Sequence, residues 1–151
     1  MAIYIVQHGR SHPKEADPEQ GLTPEGIADV ERIAGVAKGY RVRVSEIAHS
    51  GKMRAKQTAD ILAAALHPER GISLPGGMDP LDDPALFARI LSPESNLMLV
   101  GHLPFLEKLV SYLITGSMER PVFLLQNGGI VCLDQPKGSW VITWALMPHI
   151  G

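Results

Sequence analysis

Cysteine is nearly missing from this chain. Cys132 stands alone among 151 residues, so no disulfide can form within it. It lies in the apolar run Gly129-Ile130-Val131-Cys132-Leu133, which reads as a buried strand thiol. An excess of positive charge is missing too: 14 Lys and Arg stand against 16 Asp and Glu, a net charge of −2 with the histidines neutral. The signs mix along the chain, with no acidic or basic tail. That balance offers no general basic surface for nucleic acid, so a phosphorylated ligand needs a local cluster of cations. No run approaches the roughly 18–20 apolar residues that span a bilayer, and no basic segment with a signal-like apolar stretch opens the chain. Neither nucleic acid nor membrane is an expected partner, and a cytoplasmic protein is expected. Repeats, low-complexity tracts and linkers are absent, and the length favours a single domain over residues 1–151.

What is present alternates between two periodicities. Residues 2–7 form a β-branched run that reads as a strand buried on both faces. A polar loop over 10–22 follows. Thr23 is placed to cap a helix with Pro24 at its first position, and Ile27, Val30, Ile33, Ala34 and Ala37 give it one apolar face, with Gly39 as terminator. A strand over 44–48 precedes a helix over 52–66, whose stripe is Ala55, Ala59, Leu62 and Ala63. Residues 67–84 are irregular, a short helix covers 84–91, and a strand over 96–100 stops at Gly101-His102. A helix over 104–115 carries Phe105, Leu106, Leu109, Val110 and Leu113 on one side. Strands over 128–134 and 139–146 flank Pro136-Lys137-Gly138 as a hairpin, and Val122 to Leu125 suggest one more short strand. Asn127-Gly128-Gly129 reads as a tight turn, since no helix pattern follows it. The alternation predicts an α/β three-layer sandwich: a mainly parallel sheet flanked by helices, with the hairpin adding antiparallel strands at one edge.

Three strand ends carry polar residues of one chemical kind. The first ends at Gln7-His8-Gly9-Arg10, the second at His49-Ser50 before a helix bearing Lys52 and Arg54, and a later one at Gly101-His102. Ligands of parallel α/β sheets collect outside the carboxyl ends of the strands. If these strands are parallel neighbours, His8, Ser50, Arg54 and His102 converge although 94 positions separate the two histidines. A phosphoryl group would suit such a place. The helix N-termini there present free N–H groups and positive dipole ends, and Arg54 can grip two oxygens through its planar fork. Gly9 lets the backbone come close beside His8. Of two histidines at one anion, one can attack phosphorus while the other donates hydrogen bonds to the charge that develops. No spacing looks like a metal site, and no cofactor is expected.

These residues resemble the histidine phosphatase superfamily, which includes the phosphoglycerate mutases. Gln7-His8-Gly9 after an apolar strand is similar to its Arg-His-Gly signature. Leu22-Thr23-Pro24-Glu25-Gly26 resembles its Leu-Thr-x-x-Gly helix start, Ser50 to Thr58 its Ser-x-x-x-Arg-Ala-x-Gln-Thr block, and Gly101-His102-Leu103-Pro104 the segment around its second histidine. The blocks stand in family order, and the short length without a cap domain is most like the SixA-type phosphohistidine phosphatases. The resemblance implies a phosphoglycerate mutase-like fold and metal-independent phosphatase chemistry. His8 would take the phosphoryl group as a phosphohistidine that water then hydrolyses, while Arg54 and His102 hold the oxygens. The substrate would be a phosphorylated protein, above all a protein phosphohistidine, or a small phosphorylated molecule.

Gln7 is the departure, because relatives carry an arginine there. A neutral amide still donates hydrogen bonds but brings no charge, so the pocket is either weakened or repaired. Arg10, on the loop leaving the same strand, and Lys52, just before Arg54, are the two candidate repairs. Gln7, Gly9, Arg10, Ser50 and Lys52 are therefore the expected substrate-binding residues beside the trio His8, Arg54 and His102. Asp83 is the candidate proton donor for a leaving group, although its place before Pro84 also fits a helix cap. If Gln7 has removed most of the activity, the alternative is a phosphate-binding or regulatory module of the same fold.

Overall fold

The structure, a computed structural model, describes residues 1–150. Six strands, β1 (Ile3–Gln7), β2 (Glu46–His49), β3 (Ile72–Ser73), β4 (Leu97–Gly101), β5 (Ile130–Asp134) and β6 (Val141–Leu146), pair in the order β3-β2-β4-β1-β5-β6. The strands β3, β2, β4 and β1 run parallel to their neighbours, whereas β5 is antiparallel to both β1 and β6. The terminal hairpin thus extends one edge of the sheet, as its turn chemistry predicts. β1 and β4 are buried nearly throughout, which is why both read as continuous apolar runs without alternation.

The apolar positions divide by the pleat into two cores. One holds Tyr4, Val6, Ile47, Met98 and Val100 with Val30 and Ile33 of α1 (Pro24–Gly39) and Ala59 and Leu62 of α2 (Met53–Leu66). The other holds Ile3, Ile5, Ala48 and Leu99 with Phe87 of α3 (Pro84–Ala88) and Phe105, Leu106 and Leu109 of α4 (Phe105–Thr115). Helices on both faces of one sheet give the three layers of the expected α/β sandwich. Each fully buried Ile, Leu or Phe in these layers contributes about 1.5–3 kcal/mol relative to exposure.

α1 starts where its capping residues say it should. Thr23 Oγ1 accepts from the Gly26 N–H at 3.0 Å, and Pro24 fills the first position. Its end lies one step later than Gly39 suggests: Tyr40 takes the cap, and Arg41, with φ of 59°, breaks the helix. The 67–84 stretch contains the two-residue β3, too short to show any alternation in sequence. Val122 to Leu125 form no strand. β1 is already paired on both sides, by β4 and β5, so no open edge is there to receive them. No described helix is long and apolar enough to cross a membrane.

Where β1 leaves the sheet, its loop lies directly on the first turn of α1. A Cβ on Gly9 would approach Val30 Cγ2 to 2.8 Å, and one on Gly26 would collide with the Arg10 carbonyl. Gly35, on the same helix, faces open space. Gly26→Ala should therefore lose about 1–3 kcal/mol of stability through overpacking, whereas Gly35→Ala should gain about 0.5–1 kcal/mol through helix propensity. Urea unfolding of the two variants checks both signs.

Candidate active site

β4 lies between β1 and β2, and its register aligns the three strand ends. Gln7 sits opposite Gly101 and His49 opposite Val100. The next residues along, His8, Ser50 and His102, therefore emerge together at the carboxyl edge. The rings of His8 and His102 are 5.1 Å apart between centroids and inclined at 49°.

The protonation of each ring follows from its partners. His8 Nδ1 lies 2.7 Å from the Gly9 carbonyl oxygen. A carbonyl can only accept, so Nδ1 carries the hydrogen and Nε2 keeps a free lone pair. Burial lowers the His8 pKa, the Gly9 carbonyl opposes this in part, and the Arg54 charge adds a smaller lowering. His8 is a neutral imidazole at neutral pH.

His102 is 2% exposed. Its Nε2 makes a short contact with Ser50 Oγ, and that oxygen also receives the Lys52 N–H at 3.4 Å. The Ser50 hydroxyl has one hydrogen and two lone pairs, so it can donate to Nε2 or accept from it, according to the ring tautomer. Nδ1 is buried and has no partner among the described residues. Burial first, then the charges of His8, Arg54 and Lys52, push the His102 pKa down to about 3. The ring thus holds one orphaned nitrogen, and His8, Arg54 and Lys52 place positive charge around it. An unpaired buried polar atom costs about 1–3 kcal/mol, which an anionic oxygen relieves in the tautomer that carries the hydrogen on Nδ1.

Arg54 and Lys52 come from the start of α2. Lys52 occupies the cap position, no side chain caps the helix, and its first turn holds no acidic residue. Both cations are half-buried, and neither pairs with a carboxylate among the described residues. Burial lowers the Arg54 pKa somewhat, yet a guanidinium remains charged. Among the described residues, no three His, Cys, Asp or Glu side chains are grouped to hold a metal ion.

Three expected residues stand differently from the rest. Gln7 is 9% exposed, and its carboxamide oxygen is buried without a partner. Arg10 does not turn back toward the trio: its guanidinium pairs with Glu25 at 2.8 Å on the surface, because the loop carries it over the first turn of α1. Asp83 caps α3 by accepting from the Ala85 N–H at 2.9 Å. The depression it lines, about 360 Å³, is walled by Pro75, Gly77, Asp82, Leu86 and Ile90 and contains none of the trio.

Two residues to which the sequence motifs assign no role hold the site. Thr58 is buried against the loop after β1, accepting from the Gly9 N–H at 2.9 Å. Asn127, read from sequence only as part of a turn, donates from Nδ2 to the His8 carbonyl at 3.0 Å across 119 positions. The turn reading itself is met, with the Gly129 N–H on the Gln126 carbonyl and Gly128 at φ of 82°.

No protein-family model and no curated protein sequence matches the chain. Its fold does match solved structures over nearly their whole length. The protein histidine phosphatase SixA, solved with tungstate, is 25% identical with a TM-score of 0.82, covering 98% of this chain and 97% of that one. SixA from Agrobacterium tumefaciens is 24% identical with a TM-score of 0.76, covering 97% of both chains. A phosphoserine phosphatase from Entamoeba histolytica, in complex with 3-phosphoglyceric acid, is 18% identical with a TM-score of 0.69, covering 96% of both. The architecture is the phosphoglycerate mutase-like fold that the sequence motifs anticipate.

The depressed His102 pKa makes stability depend on pH in a stated direction. Between about pH 6.5 and 3 an unfolded histidine binds a proton that the folded ring refuses, so its contribution is full above 6.5 and is lost as pH falls. His102→Asn should flatten the fall in urea stability between pH 7 and pH 4.5 relative to wild type. Parallel slopes in the two proteins would show that His102 does not carry this linkage.

Proposed function

On the premise that the chain has the fold of the histidine phosphatases, we propose that it is a metal-independent phosphatase working through a phosphohistidine on His8. One observation carries the reading. A neutral imidazole with a free Nε2 lone pair lies 5.1 Å from a second neutral imidazole whose Nδ1 is buried and unpartnered, and two unpaired cations stand at the uncapped start of α2.

In this reading His8 Nε2 attacks phosphorus in line while the bond to the leaving group breaks. Its Nδ1–H stays on the Gly9 carbonyl, so the positive charge that develops on the ring is held by a hydrogen bond. Arg54, Lys52 and the His102 Nδ1–H take the phosphoryl oxygens, where preorganised donors act most strongly on charge that grows in the transition state. Water then attacks the phosphohistidine, releasing phosphate and restoring Nε2. No step calls for a metal. Asp83, engaged in capping α3, is left out of the scheme, and the leaving group takes its proton from solvent. A phosphohistidine suits this arrangement because its labile P–N bond needs a weaker acid than an ester does. The substrate is a phosphohistidine borne on a protein, with small phosphorylated molecules as the wider class.

Gln7 favours a second reading, a phosphate-binding or regulatory module of the same fold. A lost charge-assisted bond weakens transition-state binding by about 1.5–3 kcal/mol, one to two powers of ten in rate. With Arg10 held by Glu25, Lys52 is the repair that supports the enzymatic reading.

Rapid quenching after mixing with labelled phosphoramidate tests the two. Wild type should take up acid-labile, base-stable label, and His8→Ala none. Gln7→Arg should speed labelling about 10–100-fold and Lys52→Ala slow it about tenfold, with Arg10→Ala near wild type. Binding of phosphate with no label on wild type would overturn the enzyme in favour of the module.

A further inference from the structure

The backbone at His8 and Gly9 is held from three separate elements. The His8 N–H donates to the Gly101 carbonyl at the end of β4, at 3.0 Å. The His8 carbonyl accepts from Asn127 Nδ2 at 3.0 Å, from the turn before β5. The Gly9 N–H donates to Thr58 Oγ1 at 2.9 Å, from α2.

Thr58 is fully buried, and its single hydroxyl hydrogen is already committed to the Arg54 carbonyl at 2.8 Å. Its oxygen can therefore only accept from Gly9. One hydroxyl thus ties the backbone of Arg54 to the backbone beside His8. The Gly9 carbonyl, on the next peptide along, is the group that receives His8 Nδ1–H at 2.7 Å.

We propose that Thr58 and Asn127 are positioning residues that fix the His8–Gly9 peptides, so that His8 keeps its hydrogen on Nδ1 and its lone pair on Nε2, at a set distance from Arg54. Their effect reaches the phosphoryl group only through His8. Gly9 has no side chain, and the Gly128 N–H on the same turn as Asn127 is already used by the Gln7 carbonyl at 2.8 Å. A purely packing role for Thr58 would need only its shape, which valine supplies. The proposed role needs the oxygen, which serine supplies.

The inference rests on His8 being the nucleophile, and its test separates the two claims. Nitrogen-15 NMR of the histidine rings, read at neutral pH on wild type, Thr58→Val, Thr58→Ser and Asn127→Ala, reports the tautomer without any turnover. Wild type and Thr58→Ser should show His8 predominantly protonated on Nδ1, while Thr58→Val and Asn127→Ala should show mixed tautomers. With phosphoramidate as substrate, Thr58→Val and Asn127→Ala should lower kcat about 10–100-fold with KM changed less than threefold, and Thr58→Ser should restore kcat to within about threefold. Unchanged tautomer and kcat in folded Thr58→Val or Asn127→Ala would overturn the inference. So would equal losses in Thr58→Ser and Thr58→Val. Should Thr58→Val fail to fold, the milder Asn127→Ala, at a half-buried surface turn, decides. Absence of label on wild type would instead sink the nucleophile assignment, whatever the tautomer.

Discussion

The parallel pairing of β4 between β1 and β2 is the constraint on which this site depends. Three polar strand ends, far apart in sequence, arrive at one edge only because Gln7 pairs with Gly101 and His49 with Val100. A slip of one residue in either pairing would turn every side chain of a strand to the opposite face. The two apolar cores forbid that slip, since Val6 and Val100 belong to one and Ile5 and Leu99 to the other. Parallel strands also require crossover helices, and the helix that leaves β2 starts at this same edge. The fold that aligns the histidines therefore delivers the uncapped start of α2 to them as well.

That geometry sets an electrostatic problem with one natural solution. His8 and His102 are both driven toward neutrality by burial and by the nearby positive groups. Neutral rings avoid repelling each other and Arg54, yet they leave a buried ring nitrogen unpaired and two cations without carboxylates. A phosphoryl group answers all three at once. By the same logic its charge would raise both imidazole pKa values, so binding and protonation are linked. In the proposed scheme Gln7 brings one positive charge fewer than an arginine would, and Arg54 and Lys52 carry the phosphoryl charge.

Much of this was legible in the sequence because strong local signals agreed with the fold. Thr23-Pro24 marked the start of α1, continuous apolar runs marked β1 and β4, and Pro136-Lys137-Gly138 marked the hairpin. His8, Arg54 and His102 were legible as a set because strand ends and helix starts of one chemical type recurred. What escaped detection has a physical reason in each case. β3 is two residues long and exists by pairing with β2, so it leaves no periodic trace. Val122 to Leu125 had strand-like composition, but β1 beside them is already paired on both sides. Arg10 had a position beside the site, but the close approach of its loop to Gly26 sends it toward Glu25. Asn127 looked like turn chemistry, and its contact with His8 spans 119 positions, beyond the reach of local pattern.

The central claim is that the phosphoryl group sits between His8 Nε2 and the donors of Arg54, Lys52 and His102. Orthovanadate, which adopts the five-coordinate shape of a transferring phosphoryl group, tests this most directly in a crystal structure of the complex. The account predicts vanadium bonded to His8 Nε2 in line with an apical oxygen. Equatorial oxygens should lie within hydrogen-bond distance of Arg54 and of His102 Nδ1, with the Lys52 ammonium alongside. Vanadate held by Arg54 and Lys52 but turned away from His8 Nε2, or bound without contact to His102 Nδ1, would contradict it.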